Sequence, residues 1–285
     1  MKNIYSKFFN LELNPFGETP DPDFYYASHQ HNRALTNLDS ALRQGKGFSI
    51  LSGEVGTGKT LLTRILLSSV SSRANTALIL YPKFTELELL QAIVEEFEIP
   101  TSNVELKTVK AYLDHLNRFL LASIDHGKNS ILFIDEAQAM TVEALEMIRL
   151  LTNLETKTQK LLQIVLIGQP ELLQTLEQPE LRQLKQRVGT QAVLQGLDVV
   201  ETERYIKSRI EQVGNGNFLR FESGAIKVIH ELSSGMPRRI NQLCEKVLMA
   251  AESERVRLIN ADFVRGVLGC KPKSLFSFLS KKERT

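Results

Sequence analysis

Eight consecutive residues, Gly53-Glu54-Val55-Gly56-Thr57-Gly58-Lys59-Thr60, follow the pattern G-x-x-x-x-G-K-[ST]. Glycines at those places let successive backbone N–H groups turn inward around a phosphate, and the helix that follows adds its positive end. On that pattern Lys59 reaches the β- and γ-phosphates of a nucleotide, and Thr60 places a hydroxyl on Mg²⁺. Gly53, Glu54, Val55, Gly56, Thr57, Gly58, Lys59 and Thr60 are therefore the expected binding segment for ATP. A plain glycine-rich turn is the alternative, but the run sits between an apolar strand and a helix, the context the pattern requires. The run Ile131-Leu132-Phe133-Ile134-Asp135-Glu136 supplies the other half. Its four apolar residues deliver two carboxylates to the end of a strand, beside the loop. Asp135 is expected to hold Mg²⁺, mostly through water, and Glu136 to orient and polarise an attacking water. A strand that merely ends in acids is the bland alternative. Together the two motifs predict hydrolysis of ATP to ADP and phosphate.

Elements to position these residues are legible around them. Short apolar runs at Phe48–Leu51, Ala77–Tyr81, Ser130–Ile134 and Leu162–Ile167, with a fifth near Ala192–Leu194, predict strands. Helical spacing separates them at about Asn32–Arg43, Leu61–Val70, Glu86–Phe97, Val109–Ile124 and Val142–Leu151. Alternation of this kind predicts a parallel sheet covered on both faces, an α/β domain. The strand at Ala77–Tyr81 falls between the two motifs, as in P-loop ATPases that insert a strand between their motif strands. Beyond Leu197 no strand is predicted between Glu201 and Gly269, only helical spacing broken at Gly214–Asn217 and Gly235–Pro237. That predicts a small all-helical domain. The first thirty residues are rich in aromatics and prolines and are expected to pack on a domain rather than trail as a disordered tail.

Composition is ordinary for a globular chain, with 42% hydrophobic and 24% charged residues. No apolar run approaches the length needed to span a bilayer, and Met1–Asn14 lacks the features of a signal peptide. Cys244 and Cys270 stand without metal-ligand spacing and are expected to be reduced thiols of a cytoplasmic protein. The net charge is +2, yet residues 200–285 carry 16 Lys+Arg against 10 Asp+Glu. That basic third suits nucleic acid, anionic lipid or an acidic partner, and equally a solvated surface. His29 and His31 precede a helix near where an adenine could lie, and read as polar loop residues; His115, His126 and His230 are assigned no role.

Several phrases then carry a family resemblance. Asn14-Pro15-Phe16, Pro20–Tyr26, Gly53–Thr60, Ile134-Asp135-Glu136-Ala137-Gln138, Leu161–Leu172, Leu181–Arg187 and Gly235–Leu243 resemble the ExeA/GspA/MshM group of bacterial AAA+ ATPases, from about residue 9 to 268. The resemblance implies a three-layer AAA+ sandwich at 1–198, its N-terminal aromatic segment and first helix at 1–46, a helical lid at 199–268 and a basic tail at 269–285. An AAA+ enzyme is further expected to use Gln169, at a strand end, toward the γ-phosphate or attacking water. Arg187, with Arg182 as second choice, would reach a neighbouring subunit's nucleotide, and Arg238 would report ATP to the lid. ATP-dependent homo-oligomers, such as rings, are implied. Family members commonly continue into a transmembrane helix and a peptidoglycan-binding domain and assist type II secretion. With neither in this sequence, the architecture is similar to MshM members, associated with a type IV pilus, the mannose-sensitive haemagglutinin. A secretion or pilus protein of the inner membrane is then the expected partner, with the chain cytoplasmic or peripheral to that membrane. The nucleotide-binding core also resembles TniB/TnsC ATPases, which assemble on DNA and direct transposition.

Overall fold

The structure is a computed structural model that describes residues 5–17, 21–101, 106–214 and 218–269. The chain opens with α1 (Ser6–Phe9), continues through α2 (His29–Arg43), and reaches β1 (Phe48–Gly53) and α3 (Lys59–Val70). β2 (Ala74–Ile79), α4 (Glu86–Glu96), α5 (Val109–Asp125), β3 (Asn129–Ile134), α6 (Val142–Leu151) and β4 (Leu162–Gly168) follow. After α7 (Pro170–Thr175) and α8 (Arg182–Lys185), β5 (Thr190–Leu194) ends the alternation. The remainder comprises α9 (Val199–Glu211), β6 (Arg220–Phe221), α10 (Ser223–Ser233), α11 (Pro237–Ser253), β7 (Leu258–Ile259) and α12 (Ala261–Leu268). Two compact units result, residues 20–195 and residues 1–19 with 196–285.

Within the larger unit the five strands are parallel, in the order β2-β3-β4-β1-β5. β4 thus lies between the strand that feeds the phosphate loop and the strand that ends in Asp135, whereas β2 is an edge. β1 and β4 are buried along their whole lengths, as apolar strands covered on both faces must be. Phe48, Ile50, Leu132, Ile134, Ile164 and Leu166 face one core with Leu89, Leu116, Leu145 and Ile148 of α4, α5 and α6. Leu51, Ile131, Phe133, Val165 and Ile167 face the other, with Leu38 of α2 and Leu62 and Leu66 of α3. This is the expected α/β sandwich.

Boundaries differ where polar residues do the structural work. α2 begins three residues earlier than its leucine spacing suggests, because the Ser28 hydroxyl caps it and accepts from the His31 backbone N–H. β2 runs Ala74–Ile79, not Ala77–Tyr81. Its polar members Asn75 and Thr76 suit an edge, and Leu80 and Tyr81 lie beyond its end, with Tyr81 78% exposed.

The smaller unit is mainly helical but not entirely so. Arg220 and Phe221 pair in parallel with Leu258 and Ile259, correcting the all-helical expectation. Strands of two residues have no period to read. Of the N-terminal segment 1–46 expected with the α/β domain, residues 1–19 belong to this unit and the remainder, with α2, to the larger one. Tyr5, Phe9 and Phe16 are buried; the Tyr5 hydroxyl bonds to Asn14 and to Glu245 of α11. The buried Arg209 guanidinium of α9 donates to the carbonyls of Pro15 and Gly17. Cys244 is buried in α11, and burial pushes its thiol pKa far up, an inert group. Cys270 and the basic tail lie outside the described residues.

Candidate functional site

The phosphate loop leaves β1 at Gly53, where there is no room for a side chain. A Cβ there would lie 2.6 Å from the Leu194 carbonyl oxygen of β5. Gly56 and Gly58 hold φ of 81° and 98°, a region open to glycine at little cost. The Thr57 hydroxyl, fully buried, donates to the Glu54 carbonyl at 2.8 Å and closes the turn. Lys59 opens α3 and is buried; its ammonium donates back to the carbonyls of Gly53 at 2.7 Å and Glu54 at 3.0 Å. Burial lowers its pKa, partly offset by the carboxylates of Glu136 and Asp135. A buried cation at a helix N-terminus, facing glycines in left-handed backbone, is a cradle for a polyanion.

β3 brings the carboxylates to the same edge. Asp135 is 4% exposed, and its backbone N–H donates to the Ile79 carbonyl of β2 at 2.8 Å. Its Oδ1 accepts from the Glu136 N–H at 2.8 Å and its Oδ2 from the Thr60 hydroxyl at 3.1 Å. Burial raises its pKa against those two hydrogen bonds. The Thr60 and Asp135 oxygens form the hard donor pair that suits Mg²⁺ when phosphate and water complete the shell. Among the described residues no cluster of three His, Cys, Asp or Glu could hold a metal unaided.

Glu136 adopts φ 51° and ψ 34°, unusual for a residue with a side chain. The Gln138 amide donates to its Oε2, and the Gln169 Nε2 lies 3.5 Å from the same oxygen. The Gln138 carbonyl accepts from the Gln169 backbone N–H at 3.0 Å. Gly168 leaves room for this bracket, since a Cβ there would lie 3.0 Å from Gln138 Oε1. In the sequence Gln138 is visible only as part of a motif, and nothing in its position announces that it holds two site residues.

The structure therefore brings together Lys59, Thr60, Asp135, Glu136 and Gln169. Glu54 and Val55 of the loop are exposed at its outer turn. Arg187 is half-buried and donates to the Thr152 hydroxyl at 3.2 Å, whereas Arg182 is exposed on α8. Arg238 is exposed on the first turn of α11, in the smaller unit. His31 overturns the expectation of a polar loop residue. It is buried in the first turn of α2, with Nε2 2.7 Å from the Thr57 carbonyl oxygen.

Residues 42–176 match the AAA domain family AAA_22. The General secretion pathway protein A of Aeromonas hydrophila is 43% identical over 248 residues, 87% of this chain and 45% of that protein. The chain thus spans just under half the length of that relative. Among solved structures, the ORC2 protein of Aeropyrum pernix in its ADPNP–ADP complexes superposes with a TM-score of 0.63 at 17% identity, covering 90% of this chain and 70% of that one. The RuvB branch-migration motor of Thermotoga maritima gives 0.58 at 20% identity, covering 89% and 72%. At such identities these two speak for the fold alone.

Proposed function

This chain belongs to the ExeA/GspA type of AAA proteins, and from that premise we propose that it binds ATP with Mg²⁺ and hydrolyses it to drive or regulate assembly of a type II secretion machine or type IV (MSHA) pilus. One observation carries the chemistry: Lys59, Thr60, Asp135 and Glu136 converge at one sheet edge, with Glu136 gripped by Gln138. Lys59 and the loop N–H groups of 53–60 bind the β- and γ-phosphates. Thr60 and Asp135 hold Mg²⁺, which when bound neutralises charge on the phosphate oxygens. Glu136 orients and polarises the attacking water, and the Gln169 amide stands beside it to fix water or γ-phosphate.

Arg187 acts in trans in an ATP-dependent homo-oligomeric ring, and Arg238 reports bound ATP to the helical unit. No helix among the described residues is long and apolar enough to cross a membrane. The proposed place is cytoplasmic, peripheral to the inner membrane through a secretion or pilus protein. Titration of the protein with labelled ATP tests the core of this reading. Lys59→Ala should abolish binding, and unchanged affinity would remove the phosphate-loop assignment.

A second reading, a TniB/TnsC-like regulator that grips DNA, is supported by one surface. Arg255 and Arg257 lie over the Phe8 ring at 5.2 and 5.1 Å, and Arg257 also over Phe218 at 5.2 Å. Guanidinium groups beside rings suit phosphates and bases. Assembly that requires DNA and fades with salt would move this reading into first place.

A further inference from the structure

The first turn of α2 carries two contacts that the ATP chemistry above does not use. Both belong to the larger unit. His31 is 6% exposed, and its Nε2 lies 2.7 Å from the Thr57 carbonyl oxygen, inside the phosphate loop. A carbonyl only accepts, so Nε2 carries the proton and donates. The Ser28 hydroxyl lies 2.6 Å from Nδ1, within hydrogen-bond distance, and also caps the helix that holds the ring. The Tyr25 ring meets the imidazole edge-on, with centroids 6.4 Å apart. Helix cap, ring orientation and loop carbonyl are therefore one connected set.

Gly58 shows how close the contact is. A Cβ at that residue would lie 3.1 Å from His31 Nε2, in addition to the strain of φ 98°. The imidazole therefore occupies the space behind the loop at the residue just before Lys59.

One residue earlier, Gln30 makes a paired contact with the backbone of Gln195. Its Nε2 donates to the Gln195 carbonyl at 2.9 Å, and its Oε1 accepts from the Gln195 N–H at 2.8 Å. Gln195 is the last residue of the larger unit before the chain passes into the helical one. Adjacent residues on one rigid turn thus hold the phosphate loop and the end of the α/β chain.

Resting on the ATP-binding reading above, we propose that the first turn of α2 is a nucleotide-coupled brace, in which His31 positions the phosphate loop through Thr57 and Gln30 ties that turn to the linker at Gln195. Both are positioning residues: neither touches the reacting atoms. Phosphate binding draws the loop N–H groups inward and shifts the Thr57 peptide. The brace carries that shift to Gln195, the residue before the helical unit begins.

The test uses all 285 residues of the chain, with fluorescent ADP and ATP as probes and limited proteolysis of the linker as the second readout. Loss of one buried donor in His31→Ala should weaken nucleotide affinity and raise KM about tenfold, with a smaller effect on kcat. His31→Gln offers an amide N–H at similar reach and should restore most of the affinity. In the wild type, ATP should slow cleavage around residues 195–197, and both His31→Ala and Gln30→Ala should lose that protection. A folded His31→Ala protein with wild-type affinity and wild-type protection would overturn the proposal. So would a folded His31→Gln no better than His31→Ala, because the donor would then be irrelevant. If His31→Ala does not fold, Gln30→Ala decides, and full ATP protection in it would overturn the brace. Failure of the wild type to bind any nucleotide would instead sink the phosphate-loop reading itself.

Discussion

The Gln138 side chain amide donates to the Glu136 carboxylate, while its carbonyl end accepts from the backbone N–H of Gln169 at 3.0 Å. One amide thus sets both the residue that would polarise water and the strand end beside it. Such preorganisation matters because a group displaced by about 1 Å can cost on the order of a hundredfold in rate. Gln138→Ala should therefore lower kcat roughly 10- to 100-fold and leave nucleotide affinity within about threefold. Steady-state ATPase kinetics with a parallel binding titration separate the two; an unaltered kcat would show the bracket to be incidental.

Asp135 illustrates a cost of function. Burial holds its folded pKa above the ordinary carboxylate value. Its ionised form is thus disfavoured in the metal-free fold. The contribution to stability is unfavourable above the folded pKa, shrinks as pH falls through it, and vanishes below the unfolded value. Asp135→Asn should leave metal-free stability at neutral pH equal or higher, with a flatter acid-side profile, while removing the Mg²⁺ dependence of ATP binding. Thermal unfolding across pH, with and without Mg·ATP, checks this. A large loss of metal-free stability would contradict it.

Much of this site is legible in the amino-acid sequence alone. The glycine spacing, Lys59, and an apolar strand ending in Asp135 and Glu136 each follow a pattern tied to a mechanism. β1, β3 and β4 are equally plain, because buried parallel strands are continuous apolar runs. The brace at Gln30 and His31 is not legible, since it joins residues 165 and 26 positions apart through backbone groups that no side-chain pattern encodes. The same holds for Gln138. The placement of Tyr5–Gly17 with the helical unit is hidden because Arg209, which binds the carbonyls of Pro15 and Gly17, looks like one more charged residue on an amphipathic helix.

That arginine supports a stability prediction. Arg209 is 6% exposed and is bonded to the carbonyls of Pro15 and Gly17. Arg209→Met takes the charged donor from the buried Pro15 carbonyl and leaves the Gly17 carbonyl with the Asn241 amide at 3.4 Å, which should destabilise the helical unit by about 2 kcal/mol. Denaturant unfolding monitored by a probe in α11 would measure it. A shift below about 0.5 kcal/mol would mean that the N-terminal segment is held chiefly by its buried aromatic residues and its backbone pairing at Leu11 and Glu12.

Arg187 tests the assembly reading. Within the chain its half-buried guanidinium donates to the neutral Thr152 hydroxyl at 3.2 Å and acts electrostatically on the Glu155 carboxylate. Under the proposed action in trans, Arg187→Ala should lower turnover about 10³-fold or more while ATP binding persists. Turnover per wild-type subunit should rise with protein concentration. If Arg187→Ala hydrolyses ATP normally, the finger lies elsewhere, with Arg182 the next to test.

The central claim, an ATPase whose water is handled by Glu136, is tested most directly by measuring ATP binding and phosphate release side by side for the wild type and Glu136→Gln. The wild type should release phosphate, and Glu136→Gln should bind ATP with comparable affinity while release falls by at least about a hundredfold. Equal phosphate release from both proteins would contradict it.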